Sequence, residues 1–173
     1  MIEIKVTEKI LKEAKERNKE FFDKFGNHGT HRTNERQRMT GYLAESAIKY
    51  AYPLEYSDSW EVDFTFQGNT IDSKAQGCNS KPQKHYSATL YEEQVNRDTD
   101  YYIFSRVMND FSRVWIAGII SKKRFLNIAE LKQAGTKTDN FVYDQSRYQI
   151  EYKDLKDIGD FVKWVESRFK IAP

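Results

Sequence analysis

Residues 60–76, WEVDFTFQGNTIDSKAQ, carry the most regular pattern in the chain. Val62, Phe64 and Phe66 alternate with Asp63 and Thr65, and beyond Gly68-Asn69 the residues Ile71, Ser73 and Ala75 alternate with Asp72, Lys74 and Gln76. A period of two is that of a strand, and Gly-Asn between two such runs signals a two-residue hairpin. With Gly68-Asn69 as the loop, Phe66 pairs with Ile71, Thr65 with Asp72, Phe64 with Ser73 and Asp63 with Lys74. The apolar sides of both strands then coincide, and Asp63, Thr65, Asp72, Lys74 and Gln76 share the other face. In this register Asp63 and Asp72 are diagonal neighbours roughly 7 Å apart at their side-chain roots, near enough to hold one cation between them. A solvated sheet face carries such residues too, but the adjacent Trp, Phe and Ile make these strands apolar for an edge.

Helical periods flank the hairpin. Thr7 is placed to cap a helix over 7–25 whose stripe is Ile10, Leu11, Ala14, Phe21, Phe22 and Phe25, with Gly26 as the stop. Its many Lys and Glu residues read as a solvated face. Asn34 with Gln37 forms a capping-box pattern opening a second helix to about Ala51, ended by Pro53. Met39, Tyr42, Leu43, Ala47, Tyr50 and Ala51 make its buried stripe, and Glu45 lies on a neighbouring face with Arg38, Gly41 and Lys49. Gly41 inside a helix costs about 1 kcal/mol relative to Ala, which suits close approach of a backbone or ligand.

Beyond the hairpin, residues 54–57 suit a short strand, and Thr89 with Glu92 a short helix through Val95. Residues 101–108 and 114–120 read as buried strands, the second apolar throughout as if covered on both faces. Ser121 opens a helix to about Ala134 with Gly135 as its end signal, residues 136–152 show no clear period, and a last helix spans 154–170.

Composition narrows the picture modestly. The 173 residues, 39% hydrophobic and 14% aromatic, suffice for one domain with one sizeable core. A formal charge of +2 is too small to imply nucleic-acid binding by itself. One cysteine, Cys78, leaves neither an internal disulfide nor a Cys cluster for zinc or iron–sulfur. The charged start and the short apolar runs predict no signal peptide and no membrane span, hence a cytoplasmic protein.

Charge placement says more than net charge. Residues 27–38 hold His28, His31, Arg32, Arg36 and Arg38 against the single acid Glu35, either as a basic arm or as a loop and ordinary first helical turn. The two histidines lack further ligands nearby. Residues 73–91 contain no acid, while Lys74, Lys81, Lys84 and His85 supply positive charge in a loop suited to following a phosphate backbone.

A helix carrying Glu45 in GYLAESAIKYA, then Asp63, then Asp72-Ser73-Lys74, then a helix and an apolar strand, resembles the PD-(D/E)XK nuclease superfamily. The likeness covers residues 34–108, with Val62 where the family's name has Pro and Ser73 less apolar than usual. It implies an α/β fold with a restriction-endonuclease-like core, helix–three strands–helix–strand, whose mixed central sheet is flanked by helices, plus an extra strand and helices at the C-terminus. It also implies Glu45, Asp63 and Asp72 as ligands of Mg2+, with Mn2+ as substitute, and Lys74 completing the catalytic set. Arg36, Arg38, Gln76, Lys81 and Lys84 are the candidate contacts to nucleic acid. The expected activity is a metal-dependent deoxyribonuclease, an endonuclease by preference. Beside it stand a Holliday-junction-resolvase-like enzyme, which brings the expectation of a homodimer, and a catalytically inactive nucleic-acid-binding protein of the same fold.

Overall fold

The computed structural model describes residues 1–25, 34–59, 61–138 and 142–169, leaving His28, His31, Arg32 and Trp60 outside the described residues. The elements run β1 (Ile2–Lys5), α1 (Glu8–Phe25), α2 (Glu35–Ala51), β2 (Glu55–Tyr56), β3 (Phe64–Phe66), β4 (Asn69–Cys78) and β5 (Ser87–Tyr91). A 3-10 turn (Glu92–Asn96) then leads to β6 (Tyr101–Met108), β7 (Arg113–Ser121), α3 (Lys122–Ile128), β8 (Glu130–Lys132), β9 (Arg147–Glu151) and α4 (Ile158–Phe169).

Six strands form one mixed sheet in the order β1-β7-β6-β4-β3-β2, in which only β4 and β6 run parallel. β5, β9 and β8 form a second, antiparallel sheet. The sequence of β6 shows why it lies centrally: Ile103 and Val107 enter a core with residues of α1, α2 and α4, while Tyr102 and Phe104 enter another with residues of α3 and the small sheet. Strand residues alternate between faces, so β4 sends Ile71 and Ala75 to the first core and turns Asp72, Lys74 and Gln76 to the side of Tyr102 and Phe104. No described helix is long and apolar enough to cross a membrane.

The hairpin differs from its sequence reading by two residues. Phe64 pairs with Ile71, Thr65 with Thr70 and Phe66 with Asn69, so the loop is Gln67-Gly68 rather than Gly68-Asn69. Both loop residues have positive φ, 48° and 78°, the pairing that a tight primed turn demands, and the Asn69 amide closes the turn on the Phe66 carbonyl at 3.0 Å. A slip of two preserves every side chain's face, which is why the apolar pattern could not reveal it.

Other departures follow from tertiary pairing. The short helix expected from Thr89 through Val95 forms only as the 3-10 turn Glu92–Asn96, because residues 87–91 extend to join β9, a partner supplied by the polar stretch with no clear period. α3 begins on the Ser121 cap, with Oγ accepting from the Arg124 N–H at 3.3 Å, but stops at Ile128 because β8 pairs with β9. α4 starts at Ile158, four residues later than predicted, because Lys156 exchanges backbone hydrogen bonds with Ile119. β1 was not expected, being too short and charged to stand out.

Gly118 fixes the last of these contacts. The β6–β7 register skips a residue there, so β7 sends Val114 and Ile116 to the first core before the bulge and Ile119 after it. Its φ is +153°, and an added Cβ would stand 2.4 Å from the Lys156 carbonyl oxygen. Gly118→Ala is expected to destabilise the fold by about 3 kcal/mol, and a melting point lowered by roughly 6–12 °C in a thermal scan is the check.

Candidate functional site

α2 is the frame of the site. Its capping box is formed: Asn34 Oδ1 accepts from the Gln37 N–H at 2.8 Å and Gln37 Oε1 from the Asn34 N–H at 2.9 Å. From there the helix runs between α1 and the large sheet and buries most positions from Met39 to Ile48, Glu45 among them at 7% exposure. A buried carboxylate requires compensation, and Arg17 of α1 supplies it by donating to Glu45 Oε2. The Arg17 guanidinium lies 4.0 Å from the Tyr56 ring centre and 5.2 Å from that of Tyr42. Tyr56 in turn donates its hydroxyl to Glu13 at 2.7 Å. Lys49, the alternative partner of Glu45 by helical spacing, instead rests 5.2 Å from the Tyr56 ring centre.

Asp72 is 1% exposed in β4. Lys74, two residues on and on the same face, brings Nζ to 2.7 Å from Asp72 Oδ2, and Arg97 stands 3.9 Å from the same oxygen. That oxygen still lacks a hydrogen bond of good geometry. Lys74, which the predicted register set opposite Asp63 across the strands, therefore makes its ion pair along β4 instead.

Asp63 sits at the bend before β3 and brackets Asp72. Its N–H donates to the Ile71 carbonyl at 3.1 Å, and its carboxylate Oδ2 accepts from the Ser73 N–H at 2.7 Å. Extended by one pair, the two-residue slip sets Asp63 opposite Asp72 rather than diagonal to it, although the ladder itself ends at the Phe64–Ile71 pair.

The acids feel one another. Burial pushes the Asp63 carboxyl well above the usual range, Glu45 and Asp72 push it further, and Lys74 opposes. Burial likewise raises Glu45, Arg17 pulls it back, and Asp72 adds to the rise. Glu45, Asp63, Asp72 and Lys74 thus share one electrostatic neighbourhood drawn from a helix and two strands. As they stand, no three His, Cys, Asp or Glu side chains among the described residues are grouped to grip a metal.

Two cavities flank this neighbourhood. The first, of about 670 Å3, is lined by Glu45, Asp63, Gly41, Arg17, Arg38 and Arg97 among others. Glu13, Glu16, Glu20 and Asp58 also reach it, so its walls hold six carboxylates against three arginines. A Cβ on Gly41 would meet Glu45 Oε1 at 3.8 Å, an ordinary contact, so the packed neighbours do not require glycine there. The second cavity, about 370 Å3, includes Lys74, Gln76, Thr40 and Arg147 in its walls.

The predicted nucleic-acid contacts divide. Arg38 lines the first cavity with its guanidinium 4.4 Å from the Phe22 ring centre, and Gln76 lines the second, donating to Thr89 Oγ1 at 2.7 Å. Arg36 donates to the Asn109 carbonyl, Lys81 lies 3.9 Å from Glu3, and neither they nor Lys84 line these cavities. Arg17 and Arg97 escaped the sequence reading. The signal for Arg17 was present, since Ile10, Ala14, Arg17 and Phe21 follow helical spacing and set a cation within an apolar stripe.

Comparison with protein-family models and with curated proteins gives no match.

The raised Asp63 pKa has a definite sign for stability. Below the ordinary aspartate range Asp63 is protonated whether folded or not and costs nothing. As pH rises from there through the raised folded value, only the unfolded chain readily ionises, and stability is lost. Asp63→Asn keeps an acceptor for the Ser73 N–H and carries no charge. In metal-free buffer it is expected to raise the melting point by about 2–4 °C at pH 8, with the gain fading towards pH 4 in thermal scans.

Proposed function

We propose that the protein is a Mg2+-dependent nuclease that hydrolyses phosphodiester bonds of DNA. One observation carries the reading: Glu45 and Asp63 line an acidic cavity and share one electrostatic neighbourhood with Asp72 and its partner Lys74. Topology supports it. A helix bearing a buried Glu precedes three antiparallel strands, β2-β3-β4, and the chain then crosses over to β6, parallel to β4. That is the order of the PD-(D/E)XK core, with β5 and a 3-10 turn where the family has its second helix.

The donor set fits a hard cation. All three candidate ligands offer oxygen, which Mg2+ prefers, and Asp72 holds a buried oxygen with no hydrogen bond of good geometry. Like-charge opposition among the acids is the condition that a cation relieves. Glu45, Asp63 and Asp72 would hold Mg2+, with Mn2+ as substitute. When bound, such an ion supplies a Lewis acid and a water of lowered pKa.

The remaining chemistry belongs to the chain. Lys74, 15% exposed and paired with Asp72, is placed to balance the charge building on the phosphoryl oxygens. Asp63, tied to the Ser73 N–H, keeps β3 and β4 in register beneath it. Arg17 withholds one Glu45 oxygen from any ligand and leaves the other towards Gly41. Arg97 brings a second cation to the Asp72 side. The inactive nucleic-acid binder is the weaker reading, because six carboxylates in a cavity wall repel phosphate and serve no purpose in plain binding.

The test is cleavage of single-stranded, duplex and branched DNA with Mg2+ or Mn2+. Asp72→Asn is expected to abolish cleavage and Lys74→Ala to slow it by about 100-fold or more, with circular dichroism confirming that both variants fold. An intact substrate with the wild-type protein sinks the activity; unchanged rates in either variant move the site elsewhere.

A further inference from the structure

The second cavity lies on the other side of Lys74 from the acidic one, and its chemistry is opposite. No carboxylate is among its lining residues, while Lys74 and Arg147 contribute positive charge. Arg147 is held in place: its guanidinium lies 5.0 Å from the ring centres of both Tyr91 and Tyr143, and it pairs with Asp144 at the exposed outer side. Three carboxamides, Gln37, Gln76 and Gln94, bring donors and acceptors to the same space. Tyr91, a residue 37% exposed, stands in its wall with Arg147 over its ring.

We propose that this cavity receives one unpaired nucleotide of the strand being cut, next to the scissile phosphate; the inference rests on the nuclease reading of the adjacent carboxylates. The cavity's 370 Å3 falls in the range of about 300–1,000 Å3 typical of small-ligand sites. Tyr91 stacks on the base, as exposed aromatics do with single strands. The amides meet the base edge, and Arg147 meets the phosphate on the far side. An anionic strand enters from this side because the other wall repels it. A base stacked in an intact duplex cannot enter a cavity, so the preferred substrate has unpaired nucleotides at the cut: a single strand, a flap or a gap.

The experiment is fluorescence anisotropy in low salt with EDTA, using a labelled single-stranded DNA 12-mer, the same strand with one abasic site scanned along it, and the matching duplex. The single strand is expected to bind more tightly than the duplex, and one abasic position to weaken binding. Tyr91→Ala is expected to weaken single-strand binding about ten-fold while Tyr91→Phe preserves it. Gln76→Glu, nearly isosteric, is expected to weaken it about ten-fold by placing a negative charge against the strand. Absence of binding by the wild-type protein, equal binding of every abasic strand, preferred binding of duplex, or indifference to both Tyr91→Ala and Gln76→Glu each overturns the subsite. Cleavage with Mg2+ separates the two readings: binding through Tyr91 without cutting leaves the subsite standing and the nuclease reading fallen, while cutting with unchanged binding in these variants does the reverse.

Discussion

A carboxylate removed from water must be paired, and three carboxylates, Glu45, Asp63 and Asp72, lie within electrostatic reach of one another in this protein. Each ion out of water costs several kcal/mol unless a partner and hydrogen bonds compensate. The arrangement of α1, α2 and β4 follows from that requirement. α1 lies along α2 so that Arg17 reaches Glu45, β4 carries Lys74 on the same face as Asp72, and the segment before β6 brings Arg97 to the same acid. Asp63 takes a backbone N–H in place of a cation, and burial holds its pKa well above the usual range. Replacing such buried ion pairs by apolar residues of similar volume is often neutral or stabilising, so the cluster is weak evidence for stability.

The same neighbourhood borders two environments. β4 presents alternate residues to opposite sides of the sheet, and the turn of α2 containing Thr40 and Gly41 stands over it. Gly41 and Glu45 face the acidic cavity, while Thr40 and Gln37 face the carboxylate-free one. Lys74 borders the second cavity and is tethered to Asp72 by the pair along the strand. The charge gradient across a few residues gives an incoming anion a direction of approach, which neither cavity provides alone.

Much of this was legible in the chain, and the part that was not had physical causes. The capping box of α2, the alternation of β3 and β4 and the apolar run of β7 are local signals that tertiary structure left intact. The hairpin slip was invisible because period two cannot distinguish registers that differ by two, although it decided whether Asp63 lay diagonal to Asp72 or beside it. Residues 87–91 and 147–151 became strands only because each found the other, and no pattern within five residues encodes a partner some 60 positions away. Arg17 was hidden by the abundance of charge on α1, where one cation aligned with an apolar stripe looks like its neighbours.

Gly41 ties the two levels together. Glycine within a helix costs about 1 kcal/mol relative to alanine, and here the nearest outside atom to an added Cβ is the Glu45 carboxylate at 3.8 Å, which tolerates it. Neither backbone geometry nor packing in the folded chain therefore calls for glycine at this position. What lies above it is the acidic cavity, with the Glu45 carboxylate at its wall. On the proposed reading, the missing side chain leaves room in that cavity for a cation beside the acids of its wall.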